Sequence, residues 1–244
     1  MDWLVGSGIV DRIRSGELSS ESPPVVGQVK FGSLRRLQPI RRINGRDRGQ
    51  PIDRYYIDRF LSACASNLQG RVLEIAEATY TCKFGGNRIT QSDILYVTDD
   101  NPEATIMGDL TCADHIPSNI FDCIISVQTL QCIYDVPAAL RTVNRILKPG
   151  GVLLVTCHGI SQIACYDMDR WGEYWRFTTL SARQLFEGFF PSANVTVEAY
   201  GNVLAAIAFL QGLSTEGLQQ EELDHCDPDY EFLITIRAVK PEAA

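Results

Sequence analysis

The chain has 244 residues, 22 Lys and Arg against 30 Asp and Glu, a formal net charge of −8, and 45% hydrophobic residues. This suits one α/β domain with an extra segment, and the acidic balance argues against a nucleic-acid partner. The longest apolar window, residues 203–213, is too short for a membrane span; with Asp2 and no basic start before an apolar run, the expectation is no signal peptide and a cytoplasmic protein.

Residues 1–50 read as an N-terminal helix and arm, and residues 51–244 as the domain proper. A short helix is predicted over residues 2–14. Gly6, Gly8, Ser19, Ser20, Ser22, Pro23 and Pro24 are breakers and loop formers that make the rest of the arm irregular. Nine basic residues fall between Lys30 and Arg59, against Asp47, Asp53 and Asp58. Such a stretch is either a solvated arm docking on the acidic body or an attractor for a phosphate-bearing substrate. A helix is predicted from Pro51, because proline is tolerated in a first turn. Ile52, Tyr56, Phe60, Cys64 and Leu68 then form one apolar stripe, and Gly70 closes it.

Strands and helices alternate from there. Residues 71–75 form an apolar strand, followed by a short helix from Thr79 and a turn at Gly85-Gly86. A weaker strand runs over residues 87–93, and its extension to Val97 is left open. Residues 104–107 and 121–127 are strands. A helix over 136–147 is broken by Lys148-Pro149-Gly150-Gly151, and 152–156 is a fully apolar strand. A helix over 180–190 is capped by Ser181. A strand over 194–199, an apolar helix over 202–213 and a final strand over 230–239 follow. The pattern predicts a doubly wound, Rossmann-like, mostly parallel seven-stranded sheet with an antiparallel edge strand.

Such sheets bind ligands beyond the carboxyl ends of their strands, near the switch in strand order. The candidates there are Glu74, Ala76, Glu77, Ala78 and Thr79 after the first strand, Asp93 after the second, Asp109 and Leu110 after the third, Gln128 and Thr129 after the fourth, and Cys157 and His158 after the fifth. Carboxylates at three strand ends suit a ligand with ribose hydroxyls and amino groups. No Gly-x-Gly-x-x-Gly follows the first strand, which disfavours a nicotinamide dehydrogenase.

Several stretches carry a resemblance. These are Val72-Leu-Glu-Ile-Ala76, Gly108-Asp109-Leu110, Phe121-Asp-Cys-Ile-Ile-Ser126 and above all Arg145-Ile-Leu-Lys-Pro-Gly-Gly151. Over residues 70–190 the chain resembles the class I S-adenosylmethionine-dependent methyltransferases. Residues 166–178 and the opening Gly49-Gln-Pro-Ile-Asp-Arg-Tyr-Tyr56 are similar to members from bacterial glycan and natural-product gene clusters. The resemblance implies S-adenosyl-L-methionine as cofactor, held by Glu74, Ala76, Glu77, Thr79, Asp93, Asp109, Leu110 and Gln128. It implies a small-molecule or sugar acceptor methylated on oxygen, and it leaves a homodimer open. The family's first loop reads acidic-x-Gly-x-Gly, whereas this chain has Glu74-Ile75-Ala76-Glu77-Ala78. Two alternatives therefore stay open: a non-catalytic binding module, or the same fold catalysing another reaction on a small molecule.

A hydroxyl acceptor benefits from a base. His158 is the first candidate and Asp167 the second. Tyr166, Arg170, Trp171, Tyr174, Trp175 and Arg176 would form the acceptor wall, the aromatic rings stacking and the arginines holding an anion; Arg176 could instead pair with a buried acid. The eight cysteines form no Cys-x-x-Cys pair and do not cluster with the histidines, so no metal site is expected, and they read as small thiols in a reducing compartment.

Overall fold

The computed structural model describes residues 24–242. The helix anticipated over residues 2–14 lies outside them. The chain divides into two compact units, Met1–Leu37 and Gln38–Ala244. The described part of the first holds one 3-10 turn, Gly32–Leu34, with Arg35 over the ring of Phe31.

The second unit opens with the helix α1 (Ile52–Ala63), whose N-cap is Pro51. Then come β1 (Gly70–Ile75), the six-residue helix α2 (Thr79–Phe84), β2 (Ile89–Tyr96) and the two-residue β3 (Ile106–Met107). The strand β4 (Phe121–Val127) leads to the helix α3 (Val136–Ile146), capped by Asp135, and the strand β5 (Leu147–His158). A short helix α4 (Cys165–Arg170) precedes α5 (Thr179–Glu187). The strand β6 (Val195–Tyr200), helices α6 (Val203–Leu210) and α7 (Gln220–Asp224) and strand β7 (Leu233–Val239) complete the chain.

The seven strands form one sheet in the order β3-β2-β1-β4-β5-β7-β6. All pairs are parallel except those of β7 with β5 and β6. Side chains alternate across the central strands. Leu73, Ile124, Leu153 and Val155 join one core with Ala139, Leu140, Val143 and Ile146 of α3 and Phe186 of α5. Val72, Cys123, Ile125 and Leu154 join the other with Ile52, Tyr56, Ile57 and Leu61 of α1 and Phe209 of α6. Burial on both faces explains why these strands read as continuous apolar runs.

The Lys-Pro-Gly-Gly run has a structural use at the amino end of the sheet. The Asp122 carboxylate accepts from Lys148 Nζ at 2.7 and 2.8 Å and from the Arg71 amide at 2.7 Å. This ties β1, β4 and β5 together. Gly70 (φ +64°) lies against that carboxylate, and a Cβ there would collide with it.

Three local readings are corrected. The cap of α5 is Thr178, whose side chain accepts from the Ser181 amide while Ser181 answers as the reciprocal partner. Asn202 stands outside α6 as its cap. The second strand continues to Tyr96, so Asp93 lies inside it. Asp93 is buried and accepts from Arg71 Nε at 2.7 Å, Thr105 Oγ1 at 3.1 Å and Gln91 Nε2 at 3.3 Å. It joins β1, β2 and the approach to β3. Among the described residues no helix is long and apolar enough to cross a membrane.

Removing a hydrogen-bonded buried charge costs about 1–3 kcal/mol. Asp93→Asn should lower the urea-unfolding free energy by that amount. An unchanged unfolding free energy would deny Asp93 this structural role.

Candidate active site

The chain runs outward from β1 through β2 to β3, then returns to place β4 on the other side of β1. At this switch point the strand ends diverge and leave a cleft of about 570 Å³. One wall comes from Ile75 at the end of β1 and Ala76 after it, Tyr96 at the end of β2 and Val97 after it, and Gly108, Asp109, Leu110 and Thr111 after β3. The other comes from the loop after β4, including Gln128, Thr129, Tyr134 and Asp135, and from Asp167, Arg170, Trp171 and Tyr174.

The loop after β1 follows from its sequence. Glu74 is buried, with Oε1 accepting the Tyr80 amide (3.0 Å) and Oε2 accepting the Thr81 amide and hydroxyl (2.7 Å each). It satisfies the free N–H groups at the start of α2. Burial nevertheless pushes its pKa upward, against these hydrogen bonds. Ala76 takes φ +75°, the left-handed region that suits glycine. Its amide donates to Leu95 O at 2.9 Å, and its carbonyl accepts from Asn101 Nδ2 at 2.9 Å. Alanine thus keeps the turn that a glycine would make, and its exposed Cβ projects beside the cleft.

Among the sequence-derived cofactor candidates, Ala76, Asp109, Leu110 and Gln128 line the cleft together. Asp109 Oδ1 accepts from the amide and hydroxyl of Thr111 at 2.8 Å each. Gln128 has φ +53°, and its Oε1 accepts from Gln131 Nε2 at 3.1 Å. Glu74 is spent on capping, while Glu77 and Thr79 are exposed and stand outside the cleft lining. With β2 ending at Tyr96, the first acids beyond it are Asp99 and Asp100.

On the acceptor side the structure removes His158 from the cleft. It ends β5, is buried, and lies 6.0 Å from the Phe209 ring. Burial, then the charges of Arg176 and Arg54, lower its pKa to about 3. A neutral imidazole so weakly basic is a poor base near neutrality. Asp167 does line the cleft; burial, with Glu173 nearby, raises its pKa, while Arg46, Arg170 and Arg54 oppose the shift.

Arg176 is committed to structure. Its Nη1 lies 2.8 Å from Oε1 of the buried Glu173, and its Nη2 donates to Gln162 O at 2.7 Å. Glu173 Oε2 accepts the Ala164 amide at 2.7 Å, closing the segment onto itself. Tyr166 is exposed under the Arg170 guanidinium, 3.5 Å from the ring centroid, and lies outside the cleft lining. Trp171 packs edge-on against Tyr96 at 5.8 Å, linking the two walls. Thr129, expected after the fourth strand beside Gln128, lines the cleft, whereas sequence reasoning missed Tyr96, Tyr134 and Asp135. The last two lie in the loop between β4 and α3, so that loop was the available signal.

The combination of a doubly wound sheet, a cleft at its switch point and a left-handed turn after β1 defines a Rossmann-like domain built to hold a nucleoside-type ligand. Residues 50–193 match the family model described as a methyltransferase domain. The chain belongs to this family of class I S-adenosylmethionine-dependent methyltransferases, and S-adenosyl-L-methionine is its cofactor. No curated protein matches the chain. Among solved structures it is similar to the [4+2]-cyclase SpnF, at 19% identity and a TM-score of 0.50 over 80% of this chain and 85% of that one. It is also similar to a SAM-dependent methyltransferase from Archaeoglobus fulgidus (12%, TM-score 0.48, 76% and 99%). A third is phosphoethanolamine N-methyltransferase 2 from Haemonchus contortus (16%, TM-score 0.46), where the match covers 71% of this chain and half the length of that one.

The residues fit the cofactor. The backbone at Ala76 retains the turn, and the cleft is open at the ends of β1, β2, β3 and β4, where the group would lie.

His158 has a pH signature. Its folded pKa of about 3 lies below the unfolded value near 6.5, so the unfolded chain takes the proton first. Its contribution to stability is therefore complete above pH 6.5 and is lost as pH falls toward 3, by about 1.4 kcal/mol per pH unit between those limits. Urea midpoints of wild type and His158→Gln should diverge at neutrality and converge as pH falls. Parallel pH profiles would contradict this.

Proposed function

We propose that this domain methylates a hydroxyl oxygen of a sugar, glycan or small natural product. The observation that carries the reading is the division of the cleft. Ala76, Asp109 and Leu110 line the wall read as the donor side, and Gln128, Asp167, Arg170, Trp171 and Tyr174 line the other. When bound, S-adenosylmethionine supplies a methyl group already activated by its sulfonium. The chain's own residues then align the acceptor and move one proton. The backbone at Ala76 and the carboxylate of Asp109 would hold the donor.

Asp167 is the group proposed to receive the acceptor's proton. Its raised pKa makes it a stronger base than an exposed carboxylate. Trp171 and Tyr174 would face the acceptor ring, with Arg170 at the rim. One fold relative is named a cyclase, so the fold alone does not fix the reaction. The carboxylate in the cleft is what favours a proton-releasing acceptor.

Two experiments test this. Calorimetry should show binding of S-adenosylmethionine and S-adenosylhomocysteine; no binding of either at high micromolar concentration would remove the proposal. With an acceptor in hand, Asp167→Asn should lower kcat by about 10²–10⁴-fold while homocysteine-product affinity stays the same, and wild-type kcat should fall as acid protonates Asp167. An unchanged kcat would exclude Asp167 as the base.

The alanine turn gives a third. Left-handed backbone costs a non-glycine residue about 1–2 kcal/mol. Ala76→Gly should raise stability by about that amount and tighten S-adenosylhomocysteine binding. Weaker binding would show that the Ala76 methyl contributes a contact of its own.

A further inference from the structure

Three aromatic rings crowd the rim of the cleft on its acceptor side. Tyr134, Tyr174 and Trp175 are 70%, 50% and 40% exposed. Tyr134 stacks on Trp175 at 5.9 Å and 25° and meets Tyr174 edge-on at 5.3 Å and 71°. Their positions are fixed from below. Trp175 Nε1 donates to Ile133 O at 3.0 Å, and the Tyr174 amide donates to Gln131 O at 2.7 Å. Gly172 (φ +81°) leaves room for the Tyr174 ring, which a Cβ would strike. Rigid, exposed rings of this kind gain little from folding, and contiguous aromatic surface marks a binding site.

The patch continues the cleft. Tyr134 and Tyr174 line it, and Trp175 lies just beyond. A cleft of about 570 Å³ suits roughly one drug-sized molecule, and the methyl donor is nearly that large. Only the reacting end of the acceptor shares the space, so the remainder passes over the rim. Its chemistry follows from the lining. Asp109, Asp135 and Asp167 face the cleft with Arg170 as the only cation among its lining residues. That balance repels anions, and carboxylates accept hydrogen bonds from hydroxyls. Aromatic faces cover apolar C–H surfaces. A neutral sugar presents both.

We propose that Tyr134, Tyr174 and Trp175 form a distal subsite for a sugar ring, and that the acceptor is a neutral saccharide of at least two rings. One ring reacts in the cleft and the next lies on the platform. This rests on the reading of the cleft as a methyl-transfer site.

The test uses the full-length protein saturated with S-adenosylhomocysteine and an array of neutral glycans of one to four rings. Wild type should bind glycans of two or more rings about tenfold more tightly than single rings. Trp175→Ala should lose that gain, and Trp175→Phe should recover part of it. Trp175 lies outside the cleft lining, so S-adenosylhomocysteine affinity should be the same in all three proteins. Four results would overturn the subsite: no glycan bound, equal binding of one and several rings, Trp175→Ala indistinguishable from wild type, or flat aromatic compounds preferred over saccharides. Sedimentation showing a dimer that Trp175→Ala dissolves would assign the patch to a second copy of the chain instead. Failure of wild type to bind S-adenosylhomocysteine is a separate result and removes the reading of the cleft itself.

Discussion

Glu74 holds the last buried position of β1, and its carboxylate takes three hydrogen bonds from Tyr80 and Thr81. The geometry of the cleft wall after β1 depends on this contact. It pulls the start of α2 back onto the strand, so the chain must reverse within Ile75 to Ala78. The reversal needs left-handed backbone at Ala76, which Leu95 O and Asn101 Nδ2 then hold from either side. A six-residue helix could not fix such a turn by itself, because so short a helix is unstable without tertiary contacts.

The opposite wall is built differently. Residues 161–176 contain one short helix with no buried residue, so hydrophobic packing does not place it. A buried ion pair does. Glu173 joins Arg176 and the Ala164 amide, and Arg176 reaches the carbonyls of Ser161 and Gln162. Removing Arg176 would leave the Glu173 carboxylate buried without its charge partner, which is the costly way to break such a pair. The same pair turns Tyr174 and Trp175 toward the loop after β4, where backbone carbonyls receive them.

These two modes of construction explain what the sequence discloses. The central strands were legible because burial on both faces leaves continuous apolar runs at 121–127 and 152–155. The sheet class, the six-residue α2 and most strand-end positions followed. Asp93 was misplaced because β2 begins with the exposed Thr90, Gln91 and Ser92, and its apolar part starts only at Ile94. An acid in mid-strand then looks like a strand end. His158 is the last residue of its strand rather than a residue beyond it, α6 and Phe209 cover it, and no local pattern announces coverage by an element fifty residues away. The sequence supports Arg176 both as an anion binder and as the partner of a buried acid; only the position of Glu173 decides between them.

The contrast between the walls bears on how function can vary in this fold. The wall after β1 is shaped largely by backbone, since Ala76 holds its left-handed turn through its amide and carbonyl. The opposite wall is shaped by side-chain pairs within one segment and by its contacts with the β4 loop. Replacing that segment would alter this wall and leave the sheet intact, since it contributes no strand and little core. The two sides meet where Trp171 rests on Tyr96. Tyr96 is the last residue of β2, so this ring contact joins the segment to the strand ends across the cleft.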